Sequence, residues 1–497
     1  MGSEGASSSL LGPVGVVVLV AYLLTLIGIG LLGRRARREN TLADHFLAGR
    51  SLGLLVLFFT LYATQYSGNT LIGFAGNAYR SGFVMIMSAT GMMTVIALMA
   101  LYAPRLQRLA QRKRYLTPSD FLRDRFGSRT LAVMGSLLCI WVLGNYILSN
   151  LIAIGTIVQT TTGGRISFGW GVIGLALIMV VYESLGGMRS VAWTDLVQGT
   201  ILLLGIGVLC VLVLVVYDGP SHIAASLRNT QPALFVPPSA EQKRTWLSTV
   251  LLLGFGISVY PHMIQRFFAA RSASALKRSL QLMVFMPFVT TLLVVLLAVV
   301  GVWRFPGLDR AGSEEVLLLL INDLAAHVPG LSIMLVLFVC AAVAAIMSTV
   351  DSALLSLASM FTADLYRPLR PGSSQTHLTR LGKGFSWGIM ALMCGLAMVV
   401  PKTIWWLIEL KLAYFVQIAP AFLLGATSRR LGAGPVLAGL CVGVGVTLAH
   451  TVLIQSGVPI PPKPWGFHAA VWGLAANFAA IGMGWAIAPR ASDPPGH

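Results

Sequence analysis

The sequence predicts an all-α polytopic membrane protein with about 13 transmembrane helices and a five-plus-five inverted-repeat core. Three observations predict this fold class: long apolar runs, basic residues concentrated between those runs, and two interrupted runs that lie five spans apart. Hydrophobic residues make up 56% of the 497 residues and charged residues only 10%, whereas a soluble domain carries about 25% charged residues. The chain is therefore expected to fold in a lipid bilayer.

The predicted spans follow from length, because about 20 mostly apolar residues are needed to cross a bilayer. This criterion places them at 11–33, 52–78, 83–104, 130–162, 166–185, 190–217, 246–270, 279–303, 330–360, 382–401, 403–427, 433–455 and 467–488. The first run is too long for the core of a signal peptide and lacks a small-residue cleavage site, so we predict a retained helix.

The charges of the loops predict the orientation. With the N-terminus outside, 25 of the 35 Lys and Arg residues fall in inside loops or near the inner ends of spans, 9 in outside loops and one, Lys411, deeper within a span. The positive-inside rule favours this arrangement, with the C-terminus in the cytoplasm and the chain in the plasma (inner) membrane. Trp405, Trp406 and Trp465 lie near predicted outer ends, where an aromatic belt is expected.

The composition also argues against several classes of function. The net charge of +18 is explained by the basic residues of the loops. The chain has no basic domain with interleaved aromatic residues, so no nucleic-acid partner is expected. The five cysteines all lie in apolar spans without CxxC spacing, which argues against a metal site or a disulfide framework. The sequence contains no nucleophile elbow, metal motif or phosphate loop, so neither an enzyme nor a bound cofactor is expected.

Two predicted spans are interrupted by polar residues, glycine and proline. The second contains the run ATQYSGNT at 63–70, and the seventh contains GFGISVYPH at 254–262. Pro261 removes a backbone donor and disfavours helix at Tyr260, and unwound backbone offers carbonyls and amides at mid-membrane depth. The offset of five spans makes the two cross in opposite senses, which predicts an inverted repeat. The alternative is a simple kink in each of two ordinary packed helices.

The repeat sets the predicted domain boundaries. We place an N-terminal extra helix and cytoplasmic loop at 1–50, the first repeat (spans 2–6) at 51–217, an extracytoplasmic loop at 218–245, the second repeat (spans 7–11) at 246–430, and two C-terminal helices with a short cytoplasmic tail at 431–497. The outer segment 313–327 is predicted to form a short amphipathic helix at the interface.

The ninth span carries adjacent hydroxyls at Ser348 and Thr349, with Ser352 one turn further along. Hydroxyls and the carbonyls of an unwound neighbour supply hard oxygens, which a sodium ion prefers by analogy with other hard cations. The alternative is that these side chains bond to the i−4 carbonyl and pack in a helix interface.

Three ionisable side chains lie within the spans or at their ends. Asp195 and Asp351, near inner ends, are predicted either as interfacial caps or as parts of an ion exit path. Lys411 lies deeper in the eleventh span, and an intramembrane lysine is a functional candidate. Its alternatives are snorkelling to the interface or pairing with Glu409.

Four stretches of the chain resemble the solute:sodium symporter family. They are DHFLAGRSL at 44–52, GGMRSVAWTDLVQ at 186–198, the segment 260–266 and the hydroxyl pair Ser348 and Thr349. The similarity runs over essentially the whole chain. It implies a leucine-transporter-like fold and sodium symport by alternating access.

The resemblance also implies the residues of the site. Sodium would be held by the carbonyls of Ala63, Tyr66 and Ala345 and the hydroxyls of Ser348 and Thr349, and Asp195 matches a family aspartate linked to sodium affinity and release. Solute contacts are implied for Gln65, Ser67, Thr70, Phe255, Ser258 and Tyr260, with Lys411 pairing with a substrate carboxylate. The stretch 260–262 is more similar to carboxylate, pantothenate and proline carriers than to sugar carriers, so a small carboxylate or amino acid is expected.

The expected mechanism is linkage between the ion and the solute. Sodium that bridges the second and ninth spans pre-forms the solute site, so each ligand raises the affinity for the other by the same factor. Two alternatives stay open: a solute sensor that acts through a separate partner, and a proton-coupled carrier with Asp195 or Asp351 as the relay. No cofactor is expected, and Na+ is the expected coupling ion.

Overall fold

The computed structural model describes residues 13–327, 332–400, 404–428 and 430–487 of the chain. Parts of several predicted spans (11–12, 330–331, 401, 403 and 488), the loop residues Arg429 and Arg490, and the predicted cytoplasmic tail lie outside the described residues. Within the described ranges the regular structure is helical, apart from one isolated parallel bridge between Leu52 and Ala270. This confirms the predicted all-α class.

The helices are numbered in chain order. The first part of the chain forms α1 (Pro13–Arg35), α2 (Leu42–Leu47), α3 (Leu54–Gln65), α4 (Ala75–Ser81), α5 (Met87–Lys113), α6 (Pro118–Phe126), α7 (Arg129–Thr161), α8 (Phe168–Gly186) and α9 (Met188–Val216). The middle part forms α10 (Gly219–Thr230), α11 (Ala240–Ser258), α12 (Pro261–Ala269), α13 (Ala273–Met283), α14 (Met286–Val289), α15 (Thr291–Arg304) and α16 (Val316–His327).

The last part of the chain is also helical. It forms α17 (Ser332–Met360), α18 (Arg367–Leu369), α19 (Gln375–Val399), α20 (Ile404–Phe415), α21 (Ala419–Thr427), α22 (Ala433–Gln455) and α23 (Ala469–Ile487). Two π-helical turns, Asn69–Phe74 and Phe361–Tyr366, and six short 3-10 segments, Ala48–Arg50, Gly82–Ile86, Pro232–Phe235, Gly312–Glu315, Val416–Ile418 and Pro464–Gly466, join these helices within the described part.

Judged by helix length and apolarity, the described part of the chain has fewer spans than the predicted thirteen. Eleven helical runs in the described part of the chain are long and apolar enough to cross a membrane, or up to twelve if the bent pair α11 and α12 is one span. The run 69–113 is counted once although Gly82 leaves the helical region (φ 64°, ψ −146°), and α3 has only 12 residues. A polytopic membrane protein is confirmed, whereas the count of thirteen is not.

Both predicted helix interruptions are confirmed. Helix α3 ends at Gln65, and Tyr66 is extended (φ −103°, ψ 111°) before the chain turns into helix again at Asn69. Helix α11 ends at Ser258, and α12 begins at Pro261 with its axis bent by 45°. Proline suits this first helical position because its φ is preset and its missing N–H has no partner there.

Helix α17 lies at the centre of the molecule. In its most apolar window 94% of the residues are buried inside the protein, against 22% for α1 and for α22 and 28% for α19 and α23. Helices α3, α7, α8 and α9 all pack against α17. The polar side chains of α17 between Ser348 and Ser359 are all buried, so they must find partners inside the protein.

The two longest stretches that carry the family resemblance pack against each other. The carboxylate of Asp44 accepts a hydrogen bond from Arg189 at 2.9 Å, and both side chains are buried. Gly187 adopts φ 59°, and a Cβ atom there would lie 2.3 Å from the carbonyl oxygen of His45. Only glycine fits this approach, which fixes the start of α9 and thereby the position of Asp195.

The segment 313–327 is helical as predicted, but it is not simply interfacial. Val316, Leu320 and Leu324 are buried against the protein. The carboxylate of Glu314 accepts a hydrogen bond from the backbone N–H of Ile404, the first residue of α20, at 3.3 Å. The segment therefore holds the start of α20, where a carboxylate stabilises exposed helix N–H groups. The predicted domain boundaries stay predictions.

Candidate functional site

The oxygens predicted to hold sodium meet where broken helix α3 touches α17. Carbonyls in the last turn of a helix commonly lack a helical donor, and that of Ala63 near the end of α3 accepts a hydrogen bond from the Ser348 hydroxyl at 2.9 Å instead. The carbonyl of Ala345 accepts from Ser348 at 3.1 Å and from Thr349 at 2.9 Å. All four residues are buried. We call these two carbonyls and two hydroxyls the oxygen cluster.

Tyr66, the other predicted carbonyl ligand, lies in the break itself. Its backbone N–H still donates to the Tyr62 carbonyl at 3.1 Å, but its extended ψ turns its own carbonyl away from the helix axis. Its phenol is buried beside the Thr291 hydroxyl. The break thus places backbone oxygens beside α17 that an intact helix would use internally.

Asp195 lies beside the oxygen cluster rather than in it. Its carboxylate forms a buried ion pair with Arg266 at 3.0 Å and accepts a hydrogen bond from Thr60. Arg266 also donates to Ser352, whose hydroxyl donates to the Ser348 carbonyl at 2.5 Å. One chain of hydrogen bonds therefore connects Asp195 to the helix turn that carries the cluster. We call Asp195, Arg266, Thr60 and Ser352 the ion-pair network.

Three sequence interpretations are corrected here. Asp195 and Asp351 are fully buried, so the interpretation as interfacial caps is wrong for both. The Asp351 carboxylate instead accepts a hydrogen bond from Tyr182 at 2.5 Å. Arg266, counted among the loop charges, lies in α12 with no exposed surface. An arginine inside a predicted span signals a functional candidate, and this signal was available in the sequence.

A small cavity lies next to the oxygen cluster. About 20 Å³ of it is accessible to the centre of a water-sized sphere, room for about one water molecule. Five of the seven predicted solute-contact residues line it: Gln65, Ser67, Thr70, Tyr260 and Lys411. The lining also contains Asn69, Phe74, Met92, Tyr146, Ile257, Met263 and Ile408, which were not predicted. An organic solute would need the lining helices to move apart.

The other two predicted contacts, Phe255 and Ser258, do not line this cavity. The Phe255 ring packs edge-to-face on Phe478, with centroids 5.8 Å apart. The Ser258 hydroxyl donates to the Phe255 carbonyl at 3.0 Å, and its own carbonyl accepts from Tyr102 at 2.6 Å. Both residues are engaged with neighbouring helices.

Lys411 is the most unusual residue of the cavity. Its side chain is 1% exposed, and its ammonium has no hydrogen-bond partner among the described residues. The ammonium lies 4.0 Å from the centre of the Tyr146 ring, a cation–π contact. Snorkelling is wrong because the group is buried, and the proposed partner Glu409 instead contacts Lys463 at 3.3 Å. Gln65, also in the lining, has neither amide atom hydrogen-bonded in the described part.

Tyr146 joins the break in α3 to the cavity. Its hydroxyl lies 3.3 Å from the Thr64 carbonyl and 3.4 Å from the Ser67 hydroxyl, and its ring stacks on His262 with centroids 5.3 Å apart. The sequence carried a signal for this residue, since four of the six residues at 145–150 (NYILSN) have polar groups, inside the predicted span 130–162. It was missed because α7 has no break.

A larger open cavity of about 420 Å³ lies on the other side of Trp405. Trp405 packs edge-to-face on Phe74 of the inner cavity, with centroids 5.6 Å apart. Trp405 is 8% exposed, so its placement in an aromatic belt is wrong. Glu409, which lines this cavity, contacts Lys463 at 3.3 Å and lies 3.5 Å from a ring nitrogen of His468.

The aromatic pair predicts a barrier between the two cavities. Replacing Trp405 with alanine should speed the reaction of a membrane-impermeant thiol reagent with Ser67→Cys by roughly tenfold, because the barrier opens. The test uses a chain whose five native cysteines are replaced by serine. Trp406→Ala, a change in the neighbouring and 39% exposed residue, is the matched control. Equal labelling rates for Ser67→Cys alone, combined with Trp405→Ala and combined with Trp406→Ala would show that the Phe74–Trp405 pair is not a barrier.

Comparison with known proteins gives matches along most of the chain. Residues 45–443 match the family described as "Sodium:solute symporter family". The sodium/pantothenate symporter of Escherichia coli (strain K12) is 28% identical over 481 residues, which cover 94% of this chain and 95% of that protein. The high-affinity proline transporter of Bacillus subtilis (strain 168) is 27% identical over 429 residues, 84% of this chain and 87% of that protein.

Solved structures share the same architecture. A Na+-coupled sialic acid symporter in a substrate-bound outward-open state superposes with a TM-score of 0.78 at 18% identity, covering 97% of this chain and 99% of that one. A nucleobase-cation-symport-1 family transporter in a closed conformation gives a TM-score of 0.55 at 13% identity, with 90% and 96% covered. At these identities the likeness shows the fold.

Proposed function

This chain belongs to the sodium:solute symporter family and is a sodium-coupled symporter, and from that premise we propose that its solute is a small carboxylate or amino acid. The observation that carries the proposal is the buried ammonium of Lys411 in the cavity lining, without a hydrogen-bond partner among the described residues. A buried charge without a hydrogen-bonded or oppositely charged partner is costly. A carboxylate bound in the cavity would remove that cost.

The other lining groups suit the rest of such a solute. Gln65 and Asn69 each keep a buried oxygen without a hydrogen-bond partner in the described part, and Gln65 also keeps its amide nitrogen. Buried polar groups in proteins are normally hydrogen-bonded, so several free ones around one cavity indicate a ligand. Pantothenate and proline, named for the relatives above, both carry a carboxylate. The cavity residues Met92 and Met263 add adaptable apolar surface.

The oxygen cluster would bind the coupling ion. Sodium between Ala63 and Ser348 would replace a direct hydrogen bond with shared coordination of the ion, and would fix the broken end of α3 against α17. That end also carries Gln65 and Ser67, so ion binding would order two solute contacts. Tyr146 touches both the break and the Lys411 ammonium. By linkage, solute and sodium then raise each other's affinity equally.

The direction of transport is proposed from loop charge. Even without Arg266, most Lys and Arg residues lie on the side assigned to the inside, which favours an N-terminus outside and a C-terminus in the cytoplasm, with the chain in the inner membrane. Import would begin at the cavity beyond Trp405 and end with release of sodium past the ion-pair network.

The carboxylate proposal predicts the effect of Lys411→Met. Proteoliposomes with the wild-type chain should take up a carboxylate or amino acid in sodium and fail to do so when choline replaces sodium. In the variant, kcat/KM for that solute should be at least about tenfold lower, as expected when one charge-assisted contact is removed. The variant should also prefer the acid over the corresponding amide less strongly than the wild-type chain does, because the amide has no negative charge.

The control is Lys243→Met, which removes an exposed lysine from α11. Uptake by Lys411→Met with unchanged preference for acid over amide would contradict the carboxylate proposal. Uptake in choline equal to that in sodium would instead favour the proton-coupled alternative, and sodium-dependent binding without any uptake would favour the sensor. The names of the relatives favour neither alternative.

A further inference from the structure

Two grooves lined by basic side chains adjoin each other on the surface at the C-terminal end of α5. The larger, of about 600 Å³, is lined by Arg105, Arg108, Arg112 and Arg125 and by the end of α21. The second, of about 420 Å³, shares Arg105 and Arg108 and adds Lys277 of α13. We propose that the two grooves form one binding site for the phosphate headgroup of an anionic phospholipid. This proposal does not depend on the identity of the transported solute.

The three arginines of α5 form a stripe of uncompensated charge. Positions 105, 108 and 112 follow the i, i+3, i+7 spacing that puts side chains on one helix face. All three side chains are exposed, and no hydrogen bond or ion pair joins them to another side chain in the described ranges. The adjacent Lys113 differs, since it contacts Asp124 at 3.5 Å. The stripe therefore has positive charge that the protein itself does not balance.

Arg125 is fixed at the edge of the larger groove. Its guanidinium donates to the carbonyls of Gly425 at 2.9 Å, Ser428 at 2.6 Å and Leu431 at 3.1 Å. The first two bonds satisfy carbonyls at the C-terminal end of α21, where a cation is favourable. They leave the net charge in place, so the groove has one preorganised cation beside the flexible stripe.

The position of the stripe along α5 suits a headgroup. Leu101, which lines the second groove, is 65% exposed, as a residue facing lipid tails would be. At 1.5 Å per residue, Arg105 lies about 6 Å and Arg112 about 16 Å further along the axis. Across the groove, α13 has the reverse order along the chain, with Lys277 before the 49% exposed Leu282; because the predicted spans 83–104 and 279–303 cross the membrane in opposite senses, the apolar and basic ends of the two helices lie on the same sides. Both walls thus change from apolar to basic, and basic pockets of this kind bind anionic headgroups.

The test measures lipid binding to the full chain in neutral detergent by native mass spectrometry. Tetraoleoyl cardiolipin and dioleoylphosphatidylglycerol should bind more tightly than dioleoylphosphatidylcholine. The triple variant Arg105→Gln, Arg108→Gln and Arg112→Gln should bind the two anionic lipids about 100-fold more weakly, at roughly fivefold for each arginine near the surface. The exposed residues Arg34, Arg35 and Arg38, changed together to Gln, give the matched control with the same change in charge, and this variant should keep wild-type affinity.

Three results would overturn the proposal. One is equal binding of cardiolipin and phosphatidylcholine to the wild-type chain, which would mean adhesion through acyl chains alone. Another is an equal loss of affinity in the two triple variants, which would mean a general effect of net charge. The third is displacement of the lipid by millimolar inorganic phosphate, which would assign the grooves to the free anion; we expect phosphate to leave the bound lipid in place.

Discussion

Replacing Arg266 with methionine should lower the free energy of unfolding by about 3–5 kcal/mol, the typical effect of removing one partner of a buried ion pair. Arg266 and Asp195 have no exposed surface, and their charged atoms lie 3.0 Å apart. Methionine removes the charge that balances Asp195 and the donors to Thr60 and Ser352. Titration of the purified chain with dodecyl sulfate in mixed micelles measures the change.

Two further variants distinguish the effect of leaving Asp195 without its ion-pair partner from the effect of losing a basic side chain as such. Lys113→Met breaks an ion pair whose members are 59% and 39% exposed, so it should cost only about 0–1 kcal/mol. The double variant Asp195→Leu and Arg266→Met removes both buried charges and should recover most of the lost stability. A single Arg266→Met variant as stable as Lys113→Met would contradict the expectation. If the double variant folds but has lost sodium dependence, the pair also acts in ion release.

The breaks in α3 and α11 could be predicted because their causes are local. Pro261 ends one helix and starts another through its own ring and missing N–H, and the polar run 63–70 interrupts an apolar stretch over a few residues. The partner of Asp195 could not be predicted in the same way. Arg266 is 71 residues away along the chain, and no spacing rule joins α9 to α12. The fold brings them together by packing both helices against α17.

The solute cavity was predicted only in part, for a reason that lies in helix geometry. The position of Gln65, Ser67 and Thr70 at the break made them candidates, and all three line the cavity. On α11, however, the neighbour Ile257 lines the cavity while Phe255 and Ser258 do not. Which face of a continuous helix meets a cavity depends on how that helix is rotated against its neighbours, and the sequence near the break does not determine that rotation.

Sodium affinity should fall about 10- to 100-fold in Ser348→Ala and again in Thr349→Ala, since a contact with a charged partner contributes about 1.5–3 kcal/mol. In this structure the Ser348 hydroxyl lies 2.9 Å from the Ala63 carbonyl, and both hydroxyls reach the Ala345 carbonyl. Each substitution removes one oxygen of the cluster and leaves the backbone carbonyls in place. The measurements are the sodium concentration for half-maximal uptake and the sodium-dependent rise of the melting temperature.

Ser356→Ala is the matched control, because it removes a buried hydroxyl from the same helix at a point about 11 Å further along the axis. That hydroxyl has no hydrogen-bond partner among the described residues, so its loss should change neither measurement. Ser348→Ala also breaks the contact between α3 and α17, which lowers stability at every sodium concentration. A weaker ion site would in addition raise the sodium concentration that gives half-maximal uptake. If Ser348→Ala and Thr349→Ala lower the melting temperature but leave the half-maximal sodium concentration unchanged, the hydroxyls only pack the helices and the ion binds elsewhere.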